Sequence, residues 1–173
     1  MATPQAFVTG TAIASALAPS IVAPTTVARF CLYNGDPVKS YTITSVGHFY
    51  VTSAAAAEST QLFAHVSVAP LKVLPTATAA QAIKSLSGNI NSGSLAQAGS
   101  SVTIVNDGVW HPVGQSVNSG GGTATIGLGT WTNLIQPNGQ PIYVIPPGGM
   151  ISFSVVSSTA AGTVANYVTW TEA

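Results

Sequence analysis

Apolar and polar positions alternate with a period of two over much of the chain. In Met150–Ser157, Ile151, Phe153 and Val155 fall on one face and Ser152 and Ser154 on the other, as in a strand lying against a core. Gln61–Ala69 repeats the pattern: Leu62, Ala64, Val66 and Val68 share one side, and Gln61, His65 and Ser67 the other. That is the signature of a half-buried strand, with His65 turned to solvent or to an interface. Thr26–Asn34 sets Phe30 and Leu32 opposite Arg29, Cys31 and Tyr33. Ser40–Ser53 is rich in β-branched and aromatic residues, and Gly47 within it marks a bulge or a close backbone approach. Shorter runs of the same kind are Ser101–Val105, Val109–Val117, Thr123–Gly129, Pro141–Ile145 and Thr163–Thr171.

Turn chemistry separates these runs. Asn34-Gly35-Asp36-Pro37, Asn106-Asp107-Gly108, Pro137-Asn138-Gly139 and Pro146-Pro147-Gly148-Gly149 supply residues that accept positive φ or preset a bend. Many short strands with regular turns predict an all-β sandwich or barrel. One segment departs from the pattern: Thr78–Leu86, TAAQAIKSL, has the composition of a short helix, with Thr76 or Thr78 as cap and Gly88 as stop. Gly88–Ser100 is small and polar and is expected to be loop, and Ser119–Gly122 a flexible tip.

Residues 1–25 read differently. Pro4, Pro19 and Pro24 interrupt any helix longer than a turn or two, so this stretch is expected to be an extended N-terminal arm leading into a single domain over 26–173. Ser15-Ala16-Leu17-Ala18 has small-residue cleavage character, but no basic stretch precedes it, so export by this segment is not expected.

Charge sharpens the picture. Only 5% of residues are Asp, Glu, Lys or Arg and the formal net charge is +0, against about 25% charged residues in ordinary domains. Disorder does not explain this, because 46% of the chain is hydrophobic and the mean hydropathy is +0.43. No run reaches the roughly 18 apolar residues of a membrane helix, although alternation alone also suits a membrane strand barrel. Arg29, Lys39, Lys72 and Lys84 are scattered, which argues against nucleic-acid binding. A near-neutral chain has little colloidal protection against association. Its surface is therefore uncharged polar or shared with partners, and the uncharged arm suits lying on a neighbour.

No catalytic pattern emerges. His48, His65 and His111 lack the spacing of metal ligands, and the paired-histidine motif of a cupin is absent. Asp36 and Asp107 sit in turns, Glu58 in an expected loop and Glu172 beside the last residue, so no pair is set for glycosidic chemistry. Cys31, alone and without a flanking His or Lys, reads as a small buried hydrophobe. Neither a G-x-S-x-G elbow nor a phosphate loop is present. Trp110, Trp131 and Trp170 with Tyr143 and Tyr167 would form a sugar-binding face if exposed in a row, yet Trp170 alternates with Val168 and Val164 as a core residue does. Catalytic, cofactor and metal residues are therefore expected to be none.

In layout the chain resembles head decoration (cement) proteins of tailed bacteriophages. The uncharged arm leads into Arg29-Phe30-Cys31-Leu32-Tyr33-Asn34. The C-terminal part runs from Ile145-Pro146-Pro147-Gly148-Gly149 through an alternating strand to a closing strand at Trp170-Thr171-Glu172. The resemblance implies a jelly-roll-like antiparallel β-sandwich of about eight to nine strands with one short inserted helix and the arm. It implies a non-enzymatic role on the outer capsid surface, a homo-oligomer, with a trimer favoured, and the major capsid protein as partner. A glycan-binding or adhesin module of a fibre or tail, and a capsid subunit proper, are the alternatives.

Overall fold

The alternating segments do form strands in the computed structural model, which describes residues 5–10, 16, 18–22, 24, 27–52, 58–67, 79–86, 93–104, 109–118, 130–158 and 162–173. In chain order the strands are β1 (Gln5–Gly10), β2 (Val27–Tyr33), β3 (Tyr41–Thr52), β4 (Glu58–Ser67), β5 (Ala79–Gln81) and β6 (Ile83–Ser85). They continue with β7 (Gln97–Thr103), β8 (His111–Asn118), β9 (Thr130–Asn133), β10 (Val144–Ile145), β11 (Met150–Ser157) and β12 (Thr163–Glu172). They make two antiparallel sheets. One runs β10-β3-β12-β1-β6, with β9 also on β3; the other runs β5-β7-β2-β11-β4-β8.

Among the described residues there is no helix. The helical composition of Thr78–Leu86 is overruled: Ala79–Gln81 pairs with β7, and Ile83–Ser85 pairs with β1. Helix propensity is worth only tenths of a kcal/mol per residue, and two open sheet edges supply backbone partners that a short isolated helix lacks. Gly47 is not a bulge either. The irregularities of β3 fall opposite Thr169/Trp170 and Thr163/Val164. The strand expected at Thr123–Gly129, the tip at Ser119–Gly122 and the turn at Asn106-Asp107-Gly108 lie outside the described residues.

The expected arm also differs from its reading. Gln5–Gly10 is an inner strand, laddered to β12 on one side and β6 on the other. Its Phe7 is 1% exposed and stacks on Trp170 with ring centroids 5.6 Å apart; Tyr41 of β3 stacks on the other side of that indole at 6.0 Å. This aromatic row joins three adjacent strands and anchors the core. Phe30, Leu32, Ile43, Leu62, Ile151, Phe153, Val155 and Val168 complete it from both sheets.

A second, smaller cluster gathers Cys31, Ile104 and Met150, with Tyr33 and Trp110 packed against it. It explains why Ser152, Ser154 and His65 are buried although they alternate away from the main core. Ile104 and Trp110, just after β7 and just before β8, help to cover that second face.

Candidate interaction surface

The three histidines and the cysteine each stand in a structural setting. His48 on β3 is fully buried, and its Nε2 lies 2.9 Å from Thr60 Oγ1 on β4, a tie between the two sheets. Burial pulls its pKa down to about 4. His65 is not at solvent as its alternation suggested; its ring lies 5.2 Å from that of Trp110. His111 sits at the start of β8, with Nε2 bonded to the Tyr143 hydroxyl. Cys31 is buried, as expected, and desolvation pushes its thiol up to about 12. Trp170 is core, also as expected. The side chains of Trp131 and Glu58, and Asp107 and Lys72 altogether, lie outside the described residues. Among the described residues no three metal-binding side chains gather.

Two carboxylates serve the end of the sandwich where β2 turns into β3. Asp36 Oδ1 accepts the backbone N–H groups of Val38 and Lys39, each at 2.9 Å, and these bonds hold its carboxyl below the ordinary value. Glu172, 8% exposed, accepts from Lys39 Nζ at 3.3 Å, from the Ser94 hydroxyl, and from Trp170 Nε1 at 3.4 Å. Beside them, Asn34 is fully buried. Its Nδ2 donates to the carbonyls of Lys39 and Ile145, and its Oδ1 accepts the N–H of Asp36.

Asn34 also binds the Pro146–Gly149 corner through its backbone: its N–H donates to Gly149 O and its carbonyl accepts from Gly148 N. That corner closes on itself by Gly149 N–H donating to Pro146 O at 2.8 Å, with Gly148 at φ 74°. This is a type II turn, with Pro147 and Gly148 in the two central places that favour them. A Cβ at Gly149 would lie 2.9 Å from Ile145 Cγ2 and from Pro146 O. The corner is architecture and not a site.

What remains for function is surface, and the two rims of the sandwich differ. At one rim β5 and β6 belong to different sheets and are separated only by Ala82, whose carbonyl accepts from Thr9 Oγ1 at 2.8 Å. One short segment thus edges both sheets. At the other rim, β8 ends one sheet, β9 and β10 end the other, and no ladder joins them among the described residues. Large apolar side chains stand exposed near this rim: Val109 at 77%, Ile142 at 49% and Val144 at 48%.

No family model matches the chain, and comparison with curated proteins gives no match. Among solved structures it shows a distant likeness to the unassembled KI polyomavirus VP1 pentamer, at 12% identity and a TM-score of 0.35, over 99% of this chain and 92% of that one. It shows another to a mud crab dicistrovirus structure, at 10% identity and a TM-score of 0.23, over 98% of this chain and 67% of that one.

Proposed function

We propose that this chain is a non-enzymatic viral structural protein with a jelly-roll fold, which decorates a capsid by self-associating on the lattice of the major capsid protein. The observation that carries the reading is the strand order. With β5, β6, β7 and β9 set aside as additions at the sheet ends, four strands run β1-β12-β3-β10 and face β2-β11-β4-β8. The first four of these strands alternate between the sheets, and the last two, β11 and β12, return beside β2 and β1, so that antiparallel pairs wrap round the sandwich as in a jelly roll. That architecture serves viral capsids, lectins and cupins. The histidines of this chain stand apart and do not resemble a cupin centre, and Trp170 and Trp110 lie in or against packed clusters and not in an exposed sugar platform.

A trimer, the outer capsid surface and contacts of residues 1–25 with a neighbour belong to this proposal. Because Gln5–Gly10 is laddered within its own chain, such contacts fall to the residues around it. The test is to add the purified protein to undecorated heads and measure bound copies after sedimentation. Saturation at a fixed ratio to the major capsid protein is the expected result. No binding, or assembly of closed shells by this chain alone, would replace decoration with another role.

A further inference from the structure

We infer that one end of the sandwich is a seam that acid opens: protonation of His48 parts β3 from β4 there, while the opposite, aromatic end stays closed. It rests on the fold alone and not on the proposed decoration role.

The space between the sheets changes character along its length. Where β3 begins and β12 ends, Phe7, Tyr41 and Trp170 stack beside Ile43 and Ile145. Toward the end of β3 the buried side chains carry polar atoms: His48 and Tyr50 of β3, Thr60 of β4 and Asn166 of β12. His48 and Asn166 are opposite one another in the ladder of those two strands. Tyr50 meets the imidazole edge-on, with ring centroids 6.4 Å apart. The 2.9 Å contact of His48 Nε2 with Thr60 Oγ1 crosses from one sheet to the other.

A neutral imidazole fits this place and an imidazolium does not. The Thr60 hydroxyl can give or take a hydrogen bond, but it cannot neutralise a charge, and a buried charge without an opposite one beside it costs more than one bond returns. Tyr50 is the titratable neighbour on β3, Thr60 and Asn166 are uncharged, and Thr130 of β9 is in register with His48. The charged groups Asp36, Lys39 and Glu172 gather at the aromatic end, and Arg29 and Lys84 stand on β2 and β6. Glu58, two residues before Thr60, is the carboxylate nearest to it in sequence. His65 lies against Trp110 and His111 at the rim. The His48 ring therefore takes up its proton by leaving the interior, and the strands that hold it part. β8 and β9, paired here to β4 and β3, loosen with them.

The test is amide exchange of the full-length protein at pH 7 and pH 5, expressed as protection factors. Ordinary carboxylates stay ionised across that window, so a response within it reports histidine. Protection at residues 47–51, 59–61 and 164–167 should fall about twentyfold, the effect of one proton that the open form takes up and the closed form, held at about 4, refuses. It should return at pH 7. Protection at Phe7, Ile43 and Trp170 should stay within about twofold. His48→Gln should abolish the response and Glu58→Gln should leave it intact. If His48→Gln does not fold, the parent decides alone: protection at the seam should fall about tenfold per pH unit below 6.5, the slope of a single proton. An equal fall at both ends, no fall by pH 5, a response that survives in folded His48→Gln, or one that disappears in Glu58→Gln would each overturn the inference. Binding to heads at pH 7 is a separate outcome, so the seam and the decoration role can fail independently.

Discussion

Along one rim the residues Ala79–Ser85 step from one sheet to the other within seven positions, leaving short edges tied back by Thr9. Along the opposite rim two sheet edges end side by side, with valine and isoleucine exposed next to an uncharged strand. The same chain closes one side of its sandwich covalently and leaves the other to side-chain contacts. Closing an edge within the chain removes a site of unwanted pairing; leaving the other open without gatekeeper charge makes sense where a partner covers it.

The closed rim depends on β1, so the largest effect comes from removing it. Deleting residues 1–10 takes Phe7 from the aromatic row and leaves β12 and β6 without the strand between them. The expected outcome is loss of the cooperative unfolding transition in circular dichroism, well beyond the 3–5 kcal/mol typical of a single buried Phe→Ala change. A shortened protein that melts like the parent would mean that β1 is dispensable and residues 1–25 behave as an arm after all.

Next in size is acid. The tie between His48 and Thr60 joins β3 to β4, the strands next to the open rim. Burial holds His48 at about 4, against 6.5 for an ordinary histidine. Above pH 6.5 both folded and unfolded chains are neutral there, and stability is full. Between 6.5 and 4 the unfolded chain takes up a proton that the folded one refuses, so stability falls with pH by up to about 3 kcal/mol. Hydrogen exchange at pH 5 should rise at β8 and β9 before β5 and β6. Denaturant melts of His48→Gln should show a shallower pH dependence; equal slopes would assign the acid effect to other groups.

Much of this contrast was legible in the sequence, and its gaps have physical causes. Alternation located β2, β11 and β12 to within a residue or two, because one-sided burial imposes a period of two. It failed at TAAQAIKSL, where local composition favours a helix but two open edges recruit the backbone. It failed for His65 and Ser152, since a face turned from the core reads as solvent unless one knows that Ile104 and Trp110 come back to cover it. The arm reading missed β1 for a similar reason: six residues with a single large aromatic carry little pattern, and their worth comes from Trp170, more than 160 positions later. As for the candidate surface, low charge raises the expectation of a shared surface, but which rim is left open is a matter of strand order, and no local pattern encodes it.

A milder test of the closed rim is Thr9→Val, which keeps the shape and removes the bond to Ala82 O. One hydrogen bond is worth about 1 kcal/mol, and Ala82 is exposed, so water takes the place of the lost donor and the cost stays near that value. Exchange should rise at Ile83–Ser85 with little change at β8. If protection is lost equally at both rims, the closed side does not behave as a separate unit and the contrast dissolves.

The smallest effect belongs to the open rim itself. Tyr143→Phe removes the hydroxyl that meets His111 Nε2 and leaves the ring in place, 5.5 Å from the imidazole. The bond is only part-buried, so water replaces it readily and the loss in stability should stay below about 1 kcal/mol. Its consequence is positional. His111 begins β8, and Tyr143 lies between the exposed Ile142 and Val144, so the bond sets the edge and the apolar flank in one surface. If the proposed self-association uses this rim, the melting temperature should barely move while association, read by sedimentation equilibrium, weakens by a few-fold. A change in stability with association untouched would reverse that order and place the bond in the service of the fold alone.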